Sequence, residues 1–123
     1  MDAPFRILTV DNEPSVTLSL KFVFAGPRFE VLSVDDGNAA LAKIEATPDP
    51  YDLIIVDQKM PNLTGLELVG ALRQRSIPGK IIVLSADISA EIRAAYERMD
   101  VDAIFAKPFD VGELRSAVEH LAP

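Results

Sequence analysis

Short apolar runs alternate along the chain with longer stretches whose apolar residues recur at helical spacing. The most sharply bounded run is 53–56, Leu-Ile-Ile-Val, which ends in Asp57 and is followed by Gln58, Lys59, Met60 and Pro61. A continuous apolar run closed by polar and turn residues predicts a strand covered on both faces, hence a central strand of a parallel sheet. Lys80–Ser85, Lys-Ile-Ile-Val-Leu-Ser, reads the same way. Phe5–Val10 leads directly into Asp11, Asn12 and Glu13. Phe29–Val34 is more polar, as suits an edge, and 102–106 supplies a fifth strand ending at Lys107-Pro108-Phe109.

The segments between these runs carry helical stripes. Pro14 opens the first helix at a position that tolerates proline, Val16, Leu20, Val23 and Phe24 line one side, and Gly26-Pro27 stops it. Asp36-Gly-Asn38 opens a second helix with Ala40, Leu41 and Ile44, ending before Pro48 and Pro50. Leu66, Leu68, Val69 and Leu72 mark a third, after the loop 61–65. The fourth covers 89–99 with Ile92, Ala95, Tyr96 and Met99 on one side. Asp110 caps the last, whose Leu114, Val118 and Leu121 face inward. Strand–helix alternation on this scale predicts right-handed βαβ units with helices on both faces. The fold class is therefore α/β, a flavodoxin-like doubly wound five-stranded parallel sheet of order 2-1-3-4-5 with five helices.

Composition narrows the chemistry. With 123 residues, 49% of them hydrophobic, the whole of 1–123 reads as one domain. No apolar run reaches the roughly 18 residues that span a membrane, and Met1-Asp-Ala-Pro-Phe-Arg6 lacks the basic-then-apolar order of a signal peptide. A cytoplasmic location fits. Cysteine is absent, which removes disulfides, thiol nucleophiles and cysteine-ligated metals. His120, the single histidine, leaves no room for a histidine zinc site or a Ser/His/Asp triad, and its place late in the last helix predicts a surface residue. A net charge of −7 argues against nucleic-acid binding by this domain.

In the predicted fold four strands finish in polar groups on one edge: Asp11-Asn12-Glu13, Asp57, Ser85 and Lys107. A single acid after a strand can simply cap the following turn, so Asp57 alone decides nothing. Clustered carboxylates repel unless a cation neutralises them. Oxygen donors of this kind suit a hard ion such as Mg²⁺, shared with a phosphate. Lys107 offers a point charge to the same anion and the Ser85 hydroxyl a donor. These parts support a carboxylate nucleophile that takes up a phosphoryl group while metal and lysine offset its charge.

Over essentially its whole length the chain resembles the receiver domain of two-component response regulators. The matching pieces are Val10-Asp11 with its acidic loop, Asp57-Gln-Lys-Met-Pro61 with Gly65, Leu84-Ser85-Ala86, and Lys107-Pro108-Phe109. The resemblance implies that Asp57 accepts a phosphoryl group from a phosphohistidine on a sensor histidine kinase or a histidine phosphotransfer protein. It places Asp11 in the Mg²⁺-holding acid pair, makes the Lys59 backbone carbonyl a further ligand, and makes Ser85 the switch hydroxyl. Lys107 is the family's lysine, with a cis bond to Pro108. The output is expected on the face of helix 4, strand 5 and helix 5, read by an effector domain or a downstream protein. Self-phosphorylation and slow self-dephosphorylation are the only reactions implied, so the domain is not an enzyme in the ordinary sense.

Two positions depart from the family pattern. Asn12 stands where a second acid usually touches the metal; its amide oxygen can ligate Mg²⁺ but removes a charge, and Glu13 beside it could partly compensate for that charge although its side chain is expected to point elsewhere. Ile104 stands where an aromatic side chain usually turns inward, and Phe105 is expected on the opposite face. Lys59 and Asp87 flank the path of attacking water; they either pair across the site and slow hydrolysis or are solvated charges. Arg93, Arg98 and Arg115, interleaved with Glu91, Glu97 and Glu113, read as solvated faces, the alternative being a salt-bridged homodimer face. Asn12 and Ile104 motivate a rival function, a pseudo-receiver that binds a partner without phosphorylation. An aspartate-dependent phosphatase would need a second acid just after its nucleophile, which Gln58-Lys59 does not supply, and Asn12-Glu-Pro-Ser15 does not resemble a flavin phosphate loop. The chain reads either as a stand-alone regulator or as the N-terminal receiver of a longer one.

Overall fold

A computed structural model describes residues 3–46 and 49–122; the readings that fell on Met1, Pro48 and Pro123 lie outside them. The elements run β1 (Phe5–Val10), α1 (Pro14–Val23), β2 (Phe29–Val34), α2 (Gly37–Ala46), β3 (Leu53–Asp57), α3 (Gly65–Gln74), β4 (Lys80–Ser85), α4 (Ala90–Arg98), β5 (Ala103–Ala106) and α5 (Val111–Leu121). All four strand pairings are parallel, and the order is β2-β1-β3-β4-β5. This is the expected flavodoxin-like arrangement.

The local signals act as their chemistry requires. Thr64 and Glu67 form a reciprocal capping box at α3, with N–H···O distances of 3.2 and 3.0 Å. Ser89 accepts from the Ile92 N–H at 3.2 Å and Asp110 from the Glu113 N–H at 2.8 Å, opening α4 and α5. Asp36 accepts from the Ala39 N–H at 2.7 Å as α2 begins. Each cap of this type stabilises its helix by about 1 kcal/mol. Gly26, after α1, has φ of 120°, a backbone that disfavours any side chain.

Strand alternation divides the core in two. Ile54 and Val56 pack with Leu68, Leu72 and Tyr96 beneath α2, α3 and α4, while Leu53 and Ile55 pack with Leu20, Phe24, Leu114 and Val118 beneath α1 and α5. Every residue of β3 is buried, as a strand covered on both faces requires. Ile104 and Phe105 join opposite clusters, as the period of two predicts.

Register then sets the functional edge. Val10 pairs with Val56, Asp57 with Leu84, and Ser85 with Ala106. Asp11 therefore leaves β1 opposite Asp57, and Lys107 leaves β5 one residue past the partner of Ser85. The chain reverses its direction across the sheet between β1 and β3, the switch point where such sheets leave a crevice at their carboxyl ends.

Candidate phosphoacceptor site

Asp57 and Asp11 are each 3% exposed, and the ammonium of Lys107 lies between them. Its Nζ is 3.1 Å from Asp57 Oδ1, 3.0 Å from Asp11 Oδ2 and 2.8 Å from Glu13 Oε1. One oxygen from each of these three acids lies within 4.8 Å of the others. The expectation that Glu13 points elsewhere is thus corrected. The Asp11 Oδ1 atom accepts from the Glu13 N–H at 2.8 Å, which folds the loop back so that the Glu13 side chain reaches the lysine. Asn12 is exposed beside the cluster.

The charges perturb one another. Burial raises the Asp57 pKa, the Asp11 charge raises it further, and the Lys107 ammonium opposes both. For Lys107, burial disfavours the ammonium, but hydrogen bonds to Glu13 and Asp11 and the charges of Asp11 and Asp57 outweigh it and hold its pKa above the ordinary lysine value. The site consequently keeps a fixed cation among its acids at neutral pH. Hard, anionic oxygen donors gathered around a positive charge are the donor set that Mg²⁺ prefers, so the residues present fit that ion.

Ser85 is fully buried at the end of β4. Its hydroxyl is occupied locally, donating to the Asp87 carbonyl at 2.6 Å and accepting from the Asp87 N–H at 3.1 Å. The pairing of Lys59 with Asp87 is not formed. Both side chains are exposed, no ion pair joins them among the described residues, and the Asp87 carboxylate accepts from the Ser89 N–H at 3.0 Å. Lys59 faces the site through its backbone, its N–H lying 3.4 Å from Asp57 Oδ1. The Lys107–Pro108 bond is cis, as the resemblance implied.

Tyr96 has a larger part than its helical position indicated. Its side chain is fully buried on the inner face of α4, and its hydroxyl donates to Gln58 Oε1, on the residue next to Asp57. The same oxygen accepts from the Leu66 N–H at 3.1 Å. Burial and the nearby Asp57 charge raise the Tyr96 pKa, so the phenol stays a donor. A tyrosine on an apolar helix face carries a polar end that needs a partner when buried; that was the available signal, and periodicity alone did not read it.

Gly65 closes the loop against these groups. A Cβ there would lie 2.5 Å from the Tyr96 hydroxyl, 2.8 Å from the Asp57 carbonyl and 2.9 Å from Gln58 Cα. Two of these atoms are backbone and cannot move aside cheaply. Gly65→Ala is expected to lower stability by about 1–3 kcal/mol, read as an earlier urea midpoint with an unchanged slope. A midpoint equal to the parent's would show that the loop gives way freely.

The structure thus sets a cluster of three acids and a lysine at the switch point of a doubly wound α/β sheet. The family model of the response regulator receiver domain matches residues 7–119, and the chain belongs to that family. It is 36% identical over 116 residues to the transcriptional regulatory protein PrrA of Mycobacterium tuberculosis, a match covering 94% of this chain and 49% of PrrA. It is also 28% identical over 120 residues to sporulation initiation phosphotransferase F of Bacillus subtilis, covering 96% and 94%. The solved response regulator TrrA of Thermotoga maritima, in complex with Mg(2+)-BeF, superposes with a TM-score of 0.79 at 34% identity, covering 94% and 97%. The chain thus spans about half the length of the PrrA regulator and nearly all of the phosphotransferase. Among the described residues, no helix is long and apolar enough to cross a membrane.

Proposed function

We propose that this receiver takes a phosphoryl group from a phosphohistidine onto Asp57 and relays it as a change on the face of α4, β5 and α5. The observation that carries this reading is the Lys107 ammonium, 3.1 Å from Asp57 Oδ1 and 3.0 Å from Asp11 Oδ2, with both acids almost fully buried. Buried acids with a perturbed pKa, held against a lysine in a crevice at the carboxyl ends of the strands, are the arrangement expected of a functional site. An Asp57 oxygen attacks phosphorus, the new P–O bond forms as the P–N bond breaks, and the imidazole departs. Lys107 stays protonated and offsets charge on the acceptor and on the transferred group. Asp11, Asp57 and the Lys59 backbone carbonyl would hold Mg²⁺, which when bound offsets the charge of the carboxylates and of the phosphoryl oxygens.

The signal then leaves by two routes. Ser85 exchanges its local bonds to Asp87 for a phosphoryl oxygen, drawing the β4–α4 loop inward. Half-buried Ile104, packed in the Tyr96 cluster, follows by steric fit in place of an aromatic rotation. The Tyr96–Gln58 bond ties α4 directly to the residue beside the acceptor. Such a shift is limited by the phosphoryl group's differential contacts in the two states. We place the domain in the cytoplasm, facing a histidine kinase or phosphotransfer protein, with an effector domain or separate protein as reader. Turnover is confined to its own phosphorylation and hydrolysis.

Phosphoramidate with Mg²⁺ should raise the intact mass by one phosphoryl group, and chelation with EDTA should prevent it. An unchanged mass in a protein that still binds Mg²⁺ would favour the phosphorylation-independent module.

A further inference from the structure

The loop after β1 carries Asn12 where the family resemblance implies a second metal-holding acid, yet the site still gathers three carboxylates, from Asp11, Glu13 and Asp57. We propose that Glu13 supplies the missing carboxylate and is itself a functional ligand for the divalent cation; this rests on reading the site as a Mg²⁺-dependent phosphoacceptor.

The local structure frees Glu13 for that task. It is the N-cap residue of α1, but its side chain makes no capping hydrogen bond. Pro14 at the first helical position has no N–H to satisfy, and its fixed φ starts the helix without side-chain help. The Glu13 backbone carbonyl already accepts the first helical bonds, from Val16 and Thr17 at 3.1 and 3.2 Å. Its carboxylate is therefore not used by the start of the helix, and it pairs instead with Lys107 Nζ, 2.8 Å away. That ammonium is a positive charge already accommodated by the same three acids, each within 3.1 Å of it. The same three acids would offer their oxygens to a divalent cation, whose charge would take over part of the neutralisation that Lys107 now provides to Glu13. Asn12, exposed and uncharged, contributes no charge to this balance.

The test is Mg²⁺ affinity, measured by isothermal titration and by amide chemical shifts without any phosphoryl donor. Parent, Glu13→Gln, Asn12→Ala and the double variant Asn12→Asp/Glu13→Gln are compared, with circular dichroism as the check on folding. Glu13→Gln should weaken Mg²⁺ binding about tenfold or more, a typical loss for a group tuning a metal site. Asn12→Ala should change it less than about threefold, and Asn12→Asp/Glu13→Gln should recover most of the lost affinity because the carboxylate count is restored. Parent-like affinity in Glu13→Gln would overturn the assignment while leaving the phosphoacceptor reading intact, and so would a larger loss in Asn12→Ala than in Glu13→Gln. Absence of saturable Mg²⁺ binding in the parent would overturn both.

Discussion

Asp57→Asn ends phosphoryl uptake and, with chelator present, makes the protein harder to unfold at neutral pH. The first effect follows because a neutral amide oxygen cannot act as the nucleophile that a carboxylate oxygen is. The second follows from the direction of the Asp57 pKa, which burial, then the Asp11 charge, raise above its ordinary 3.8. A carboxyl that holds its proton more tightly when folded favours folding at low pH. That contribution is lost as pH rises from the ordinary value through the raised one, and above that window the ionised group opposes folding. Removing the charge relieves this opposition at pH 7 and gives nothing below the ordinary carboxylate range. The checks are intact mass after phosphoramidate treatment and urea midpoints at neutral and acid pH. Equal phosphoryl incorporation in Asp57→Asn would place the acceptor elsewhere, and a lower midpoint at pH 7 would mean that the Lys107 contact outweighs burial.

Lys107→Ala has the opposite effect on stability. Its raised pKa means that the ammonium's contribution is fully present below the ordinary lysine value and is lost only as pH climbs through the raised one. At pH 7 the whole of it is therefore at stake. Deleting the cation leaves two nearly buried acids and Glu13 facing one another. Stranding a fully buried charge costs about 3–5 kcal/mol; with the lysine 12% exposed and Glu13 half-exposed, about 2–3 kcal/mol is expected here. Mg²⁺ should return part of that loss by replacing the missing positive charge, and phosphoryl uptake should remain slow because the transferred group has lost its own counter-charge. Urea unfolding with EDTA and with Mg²⁺ separates the two effects. A Lys107→Ala variant as stable as the parent in EDTA would show that the acids tolerate one another unaided.

Much of this is legible in the amino-acid sequence. The apolar runs at 53–56 and 81–84 read as central strands, and the polar residues that follow them put Asp57 and Ser85 on one edge once the order 2-1-3-4-5 follows. What could not be read was the direction of side chains within loops. Glu13 and Asn12 are neighbours in sequence, and the contacts that go with the glutamate's turn into the site, its N–H on Asp11 and its carboxylate on Lys107 94 residues away, leave no local pattern to read. The Lys59–Asp87 pairing failed for a similar reason, since the Asp87 carboxylate is taken by the Ser89 backbone two residues on. Tyr96 was legible as core, but its bond to Gln58 spans 38 residues and has no local trace in the sequence.

The central claim is that this acid–lysine edge is a working phosphorylation switch, and the most direct test is beryllofluoride with Mg²⁺, followed through the amide chemical shifts of Asp57, Ser85 and Ile104. Saturable shifts at all three positions in the parent, absent in Asp57→Asn, are the predicted result. A parent protein whose Asp57, Ser85 and Ile104 amides do not respond at saturating Mg²⁺ and beryllofluoride would contradict it.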